Sequence, residues 1–387
     1  MSNNSSTGKI IYSDIVVIGG GIAGISVAAK LADSARVSVV EAESHAAFHS
    51  TGRSAAIFIE NYGNSTLRTL NKMSLPELMG EQSAGEQSDT SGNAIVTTSV
   101  LAKRGELLLV GKNDEQACQD YLNNSSGIEH LSPQEAMQLV PCLNPETFTS
   151  ALYEADASDI DVDLLLSQYL KQLKRKQGVL HTDSRVHKLI YHDGIWQIHC
   201  QHNTYAAPII VNAAGAWADV IAQMAGLPAI GLSPCRRSMA QFDVAAFEVT
   251  AWPLFGTVGE TWYAKPQSGK LLLSPADEDP VDPHDAWPED EVLAAAIDRF
   301  EHMVDLQLPR PSHRWAGLRT FTSDRTPVVG ADPLARGFYW LAGQGGYGIQ
   351  TAAALSSILC SEVTSEKTPA TKTHTLLTAQ LSPARFR

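Results

Sequence analysis

Wholly apolar runs closed by glycine are the strongest pattern along the chain. "DIVVIGGG" (14–21) reads as a buried parallel strand, because a strand covered on both faces loses the alternation of polar and apolar positions. "IAGISVAAKLA" (22–32) predicts a helix of small residues, and "RVSVVEAE" (36–43) a second strand. Together they predict a βαβ unit from about Ser13 to Glu41, and with it a doubly wound sheet.

Further along, helical and strand periods alternate. A helical stretch from about Asn64 to Gly80 leads into the polar loop "EQSAGEQSDTSGN" (81–93), and "AIVTTSVLAKRGELLLVG" (94–111) predicts a hairpin. "SPQEAMQLVPCL" (132–143) predicts a helix opened by a capping box, with Ser132 followed three residues later by Glu135. "DIDVDLLLSQYLKQLKRKQG" (159–178) predicts a long amphipathic helix, followed by short strands that end in "PIIVNAAG" (208–215). The stretch 238–276 reads as β-rich and 290–305 as a helix, and residues 337–363 predict a strand, a glycine-rich turn and a helix.

Nucleotide-binding-type units thus stand at the start, middle and end. The expected organisation is a discontinuous cofactor domain (1–75, 150–230 and 312–387) and a second, mainly antiparallel substrate domain (76–149 and 231–311).

Composition narrows the function. With 387 residues, 44% hydrophobic and 18% charged, the chain is an ordinary globular protein long enough for two domains. A net charge of −13 argues against a nucleic-acid partner, whose phosphates demand a basic face, and modestly favours cationic substrates. Five scattered cysteines without metal-ligand spacing point to free thiols in a reducing compartment, and the twelve histidines form no metal constellation, so no metal is expected. The start "MSNNSSTGK" reads as a disordered tail. Asp14 interrupts the apolar stretch after it, which argues against a secretory signal, and no membrane span is expected. Cytoplasmic localisation is the resulting expectation.

Gly19, Gly21 and Gly24 form G-x-G-x-x-G between the first strand and helix. The first permits the tight turn, the second lets a pyrophosphate approach the backbone, and the third lets helix and strand pack closely. Glu41 closes the second strand, where an acid accepts the hydroxyls of a ribose. The next stretch, "HSTGRSAA" (49–56), decides between dinucleotides. An NAD enzyme has little use for small polar residues there, whereas an extended FAD continues past the strand and needs them along the flavin. The turn after 208–212 and the glycine-rich "LAGQGGYGIQTAAAL" (341–355) agree, since they present backbone and a helix start to an electron-rich ring.

GGGIAG, HSTGRSAA, VNAAGAW, the RRS of 236–238, W-Y-x-K-P at 262–266, WAGLRTF at 315–321 and GQGGYGIQT at 343–351 occur in order. This set resembles the D-amino-acid oxidase superfamily, glycine oxidase and sarcosine oxidase among its members, and most of all the bacterial FAD-dependent D-arginine dehydrogenases. The resemblance implies a Rossmann-like FAD-binding domain with an antiparallel-sheet substrate domain. It also implies hydride transfer from the Cα of a D-amino acid to flavin N5, then hydrolysis to a 2-oxo acid and ammonia.

Residue by residue, the resemblance implies that Ser50, Thr51, Arg53, Ser54, Ala55, Ala214, Gly215, Gly345, Gly346, Tyr347, Gly348 and Gln350 lie along FAD. Arg237 and Arg319 match its carboxylate-binding arginines, and Tyr62 and Tyr263 its substrate-covering tyrosines. Gly317 and Gln350 match the substrate end, and Glu106 the acid that meets a cationic side chain. Some of these residues have ordinary alternatives: a salt bridge for Arg53, a buried ion pair for Arg319, core packing for the tyrosines and an exposed strand end for Glu106.

Ile57 and Ile59 depart from the D-arginine dehydrogenase pattern, which has a histidine and a threonine there, and shift the pocket towards apolar side chains. No cysteine lies within 315–330, so non-covalent FAD is expected. Basic D-amino acids are the first substrate expectation. The alternatives are secondary amines (an opine, imino acid or N-methyl amino acid) and an FAD subunit that needs a partner chain. Either oxygen or a quinone could reoxidise the flavin.

Overall fold

The computed structural model describes residues 9–80, 95–244, 247–364 and 372–387. The polar start, apart from Lys9, and the loop 81–93 therefore lie outside the described residues. The remaining strands gather into four sheets.

The apolar runs behave as their pattern dictates. Ile15–Ile18 and Val37–Val40 are buried at every position and pair in parallel at the heart of a six-stranded sheet. Ile209–Asn212 and Phe338–Ala342 join on the other side, also parallel, and Val179–His181 extends the sheet beyond Val37–Val40. An antiparallel strand, Val328–Ala331, closes the edge. Three stretches far apart in sequence thus form one sheet, because each is apolar on both faces and needs cover on both.

Helices Ile22–Leu31, Ser65–Leu78, Val162–Arg175 and Ala352–Thr364 supply cover on one face. A four-stranded sheet built from Ile10–Tyr12, Val186–His192, Ile195–Cys200 and Thr204–Ala207 supplies much of it on the other. The long amphipathic helix sits where its period predicts, with Asp161 capping it by accepting from Leu164 N. Ser132 and Glu135 form the expected capping box on Pro133–Leu139.

The second large layer is an eight-stranded sheet, with Ser233–Phe242 and His313–Phe321 paired along their length. Its outer face packs on helix Asp290–Met303 through Phe255, Trp262 and Phe300. It is mainly antiparallel, but Leu254–Thr257 runs parallel to Glu106–Gly111. The expected hairpin over 94–111 does not form. Leu101–Lys103 pairs with Ser158–Ile160 in a small three-stranded sheet, whereas Glu106–Gly111 enters the eight-stranded one. Gly105, at φ +81, turns the chain between them.

The fold is therefore α/β: a Rossmann-like, mainly parallel six-stranded layer joined to a mainly antiparallel eight-stranded sheet.

Candidate active site

One long cavity runs from the glycine turn to the eight-stranded sheet. Its first end is built by the βαβ unit. Gly19 sits at φ +112, and a side-chain carbon there would come within 2.4 Å of the Ala213 carbonyl oxygen. Gly21 lines the cavity at the start of helix Ile22–Leu31, whose Ile22 N–H donates to the Thr51 hydroxyl at 3.0 Å. Gly24 stays off the wall, where a methyl group would fall 1.9 Å from the Gly19 carbonyl oxygen and prise helix from strand. Glu41 accepts from Gly20 N at 2.5 Å and Glu43 N at 2.9 Å, which fixes its carboxylate on the cavity wall.

The middle is lined by the short 3-10 turn Ser50–Arg53 with Ser54 and Ala55, and by Ala214 and Gly215 opposite. Ser50 donates to the Leu318 carbonyl at 2.6 Å. Arg53 donates to the carbonyls of Ala286 and Ala316 and pairs with Asp285 at 2.5 Å. It therefore ties the turn to the eight-stranded sheet rather than closing a salt bridge within its own loop.

At the far end Arg237, Tyr263, Gly317 and Arg319 meet Gly345, Gly346 and Gly348. Arg237 and Gly317 are register partners on neighbouring strands, and alternation brings Arg319 to the same face two residues on. Arg319 donates to the Tyr62 hydroxyl at 3.3 Å, and burial raises the Tyr62 phenol above its usual range. Burial also pushes the Tyr263 phenol upward, but the guanidiniums of Arg319 and Arg237 outweigh it and hold it below the ordinary tyrosine value.

Several expected contacts lie off the cavity wall. Tyr347 is buried against Tyr62 and Phe321, at ring distances of 4.8 and 6.4 Å, because the turn directs it into the core. Gln350 is 3% exposed and spends its amide on both backbone groups of Ile59, so it joins two segments instead of lining the cavity. Ile57 is half-buried in a short strand paired with Asp159 and is not part of the wall.

Glu106 is 7% exposed, facing neither solvent nor the cavity. It lies opposite Glu154 across the sheet and accepts from Tyr121 at 3.4 Å, and burial pushes its pKa up to about 8. A neutral acid in that position cannot attract a cation as a carboxylate would.

The sequence reasoning missed further wall residues: His49, tilted against Trp217 at 4.7 Å, and Leu318, which lie inside quoted motifs but were assigned no role, and Met239 beside the arginines, which lies in none. Strand alternation from Arg237 would have found Met239. Arg236 is structural, paired with Asp277, Asp279 and Glu289. Among the described residues no group of His, Cys, Asp and Glu could hold a metal. No helix among them is long and apolar enough to cross a membrane.

Residues 14–361 match the DAO family of FAD-dependent oxidoreductases. The chain belongs to this family. Its cofactor is FAD, and the residues present fit it: the glycine turn excludes side chains where a pyrophosphate would pass, Glu41 stands at the ribose end, and small residues line the middle.

Among curated relatives of this FAD-dependent oxidoreductase, glycine oxidase from Geobacillus kaustophilus is 22% identical, over 92% of this chain and 93% of its own. Human mitochondrial dimethylglycine dehydrogenase is 24% identical, over 90% of this chain but 42% of its own. The crystal structure of L-proline dehydrogenase from P. horikoshii superposes with a TM-score of 0.79 at 21% identity, covering 97% of this chain and 98% of its own. Iminodiacetate oxidase from Chelativorans sp. BNC1 gives 0.75 at 18% identity, covering 95% and 98%. At such identities the structural likeness concerns the fold.

Proposed function

We propose that this FAD-dependent oxidoreductase oxidises the carbon–nitrogen bond of an amino acid held by its carboxylate, with D-amino acids the first candidates. The observation that carries the reading is the convergence of Arg237, Arg319 and Tyr263 on one end of the cofactor cavity. A guanidinium fork offers planar paired donors that match a carboxylate, and two of them in an enclosed site exceed what structure alone requires. Bound FAD, held without a covalent link, supplies the acceptor for the hydride on the amine-bearing carbon, and the imine then hydrolyses in water.

The chain's own task is orientation. Arg319 and Arg237 hold the carboxylate, with Arg319 steadied by the Tyr62 hydroxyl. Tyr263, between the two arginines, donates its O–H to the same group. Gly317 and Gly346 leave the floor open, and Met239 and Leu318 limit water.

The motif pattern shared with D-arginine dehydrogenases supports basic D-amino acids, although Glu106, the acid expected to meet their side chain, lies off the cavity. A second reading, oxidation of secondary amines, is favoured by the position of Glu106 off the cavity and the apolar wall of Met239 and Leu318. The names of the relatives, which include dimethylglycine, L-proline and iminodiacetate, point the same way.

The deciding measurement is the anaerobic visible spectrum of the FAD-loaded protein with D-arginine, L-arginine, an apolar D-amino acid, sarcosine and iminodiacetate. Bleaching by D-amino acids alone supports the first reading. Bleaching by the secondary amines alone replaces it with the second, and no bleaching by any of the set overturns both.

A further inference from the structure

The segment 275–289 joins strand Lys270–Ser274 to helix Asp290–Met303 and lies along strand Ser233–Phe242. Several of its carboxylates are already paired. Asp277 accepts from the Ser238 N–H and hydroxyl at 2.6 and 2.7 Å, and Asp279 and Glu289 hold Arg236.

Glu278 differs, because it is shared unequally between two arginines. Both its oxygens meet the fork of Arg325, at 3.0 Å each, while Arg237 receives a single contact at 3.2 Å. Arg237 is 8% exposed, and its buried Nε has no partner. Arg325 comes from the turn that follows strand His313–Phe321, stacked 4.0 Å over the Phe321 ring, with its backbone at φ 56. A non-glycine residue in that left-handed region has to be held there by its surroundings.

We propose that Arg325 draws Glu278 away from Arg237, so that Arg237 keeps a charge only partly compensated and free to meet the carboxylate of the substrate. This rests on the reading of Arg237 as a carboxylate anchor. Glu278 and Arg325 are then positioning residues that act through Arg237 and touch no substrate themselves.

The physical argument is competition. A carboxylate left with a single guanidinium adopts the paired, fork-to-fork arrangement. Without Arg325, Glu278 turns fully onto Arg237, satisfies its idle Nε, and occupies the donors the substrate needs. Side-chain exposures of 49% for Arg325 and 31% for Glu278 leave the pair largely screened and of little value to stability. That is the expected profile of a device for tuning charge rather than a structural tie. Burial pushes the Glu278 carboxyl upward, but Arg325, with Arg237 and Arg319 adding, holds it below the usual range, so it stays ionised for this role.

The test is a titration of the FAD-loaded protein with acetate, read by perturbation of the flavin absorbance and by protection against thermal unfolding. Arg325→Asn suits it because asparagine tolerates the left-handed backbone and is too short to reach Glu278. Acetate should bind Arg325→Asn roughly five- to tenfold more weakly, and adding Glu278→Gln should return binding to within about twofold of the parent, a rescue that signals coupling. If Arg325→Asn loses its flavin, Arg325→Gly carries the same comparison, since glycine is at ease in the left-handed backbone and brings no cation. Arg237→Leu separates the two ideas. If it weakens acetate binding but Arg325→Asn does not, or if the double variant is worse than the single, the competition is refuted and the anchor stands. If Arg237→Leu binds acetate like the parent, the anchor itself fails and the competition with it.

Discussion

The Tyr263 phenol lies against Arg319 and Arg237, which hold its pKa below the ordinary tyrosine value despite burial. Rising pH should therefore ionise it below about 10, the value of a free tyrosine. The phenolate loses its donor and repels a carboxylate, so KM should climb on the alkaline side. Tyr263→Phe should lower kcat/KM by about tenfold at neutral pH, the worth of one hydrogen bond to a charge, and abolish that alkaline rise. An unchanged alkaline limb in the phenylalanine variant would exclude Tyr263 as its source.

Glu106 makes the opposite case. Its folded pKa of about 8 lies above the ordinary 4.5, mainly through burial and then through Glu154. The folded state thus holds a proton that the unfolded chain has released, and the resulting stability is lost as pH rises from the lower value through the upper. Glu106→Gln should melt close to the parent at pH 5 and several degrees above it at pH 9. An equal shift at both pH values would show that Glu106 does not titrate in this way.

At the scale of elements, the contact between helix Ile22–Leu31 and strand Ile15–Ile18 depends on one missing side chain. A methyl group at Gly24 would stand 1.9 Å from the Gly19 carbonyl oxygen, which is backbone and cannot yield as a flexible side chain would. Gly24→Ala should cost at least about 2 kcal/mol through overpacking and reduce bound FAD, since the displaced helix carries the phosphate end of the cavity. Melting temperature and flavin content per chain report the two effects separately. This glycine's role was legible in the sequence, because strand, turn and helix are contiguous there. The region 94–111 was not legible in the same way. Its two strands look like hairpin arms, yet they pair with residues some 50 positions later, Leu101 with Ile160 and Glu106 with Glu154. Local pattern records which segments are strands but not which edge each one meets.

At the scale of the whole molecule, one buried charge cluster joins the layers. Lys265, 4% exposed on the eight-stranded sheet, donates to Asp159 at 2.8 Å and to the Ala56 carbonyl at 3.3 Å, beside the cavity turn. Arg104 grips the same Asp159 at 2.5 and 2.7 Å. Burial lowers the Lys265 pKa and Asp159 opposes that fall, so the lysine depends on its partner. Asp159→Asn leaves two cations facing each other and should cost about 3–5 kcal/mol. Lys265→Met leaves the Arg104–Asp159 pair intact and should cost clearly less. Denaturant midpoints of the two variants give the order, and a reversed order would mean that Asp159 is not the keystone.

The sequence alone determined the glycine turn with its acid and the run of small and hydroxyl residues around 50–55, because backbone conformation acts over a few residues; Arg237 and Arg319 followed from the family resemblance, and the pairing of their two strands brings them to one face. Whether a side chain faces the cavity depends on how separate sheets meet. Tyr347, Gln350 and Glu106 belong to the expected site by motif, yet each turns into the interior, where a neighbouring segment supplies its partner. The same holds for Glu278, which carries no motif and acquires its place only when strand Ser233–Phe242 and the turn bearing Arg325 fold to either side of it. Chemistry that depends on residues near in sequence could be read from the sequence, and chemistry that depends on convergence was decided by the tertiary structure.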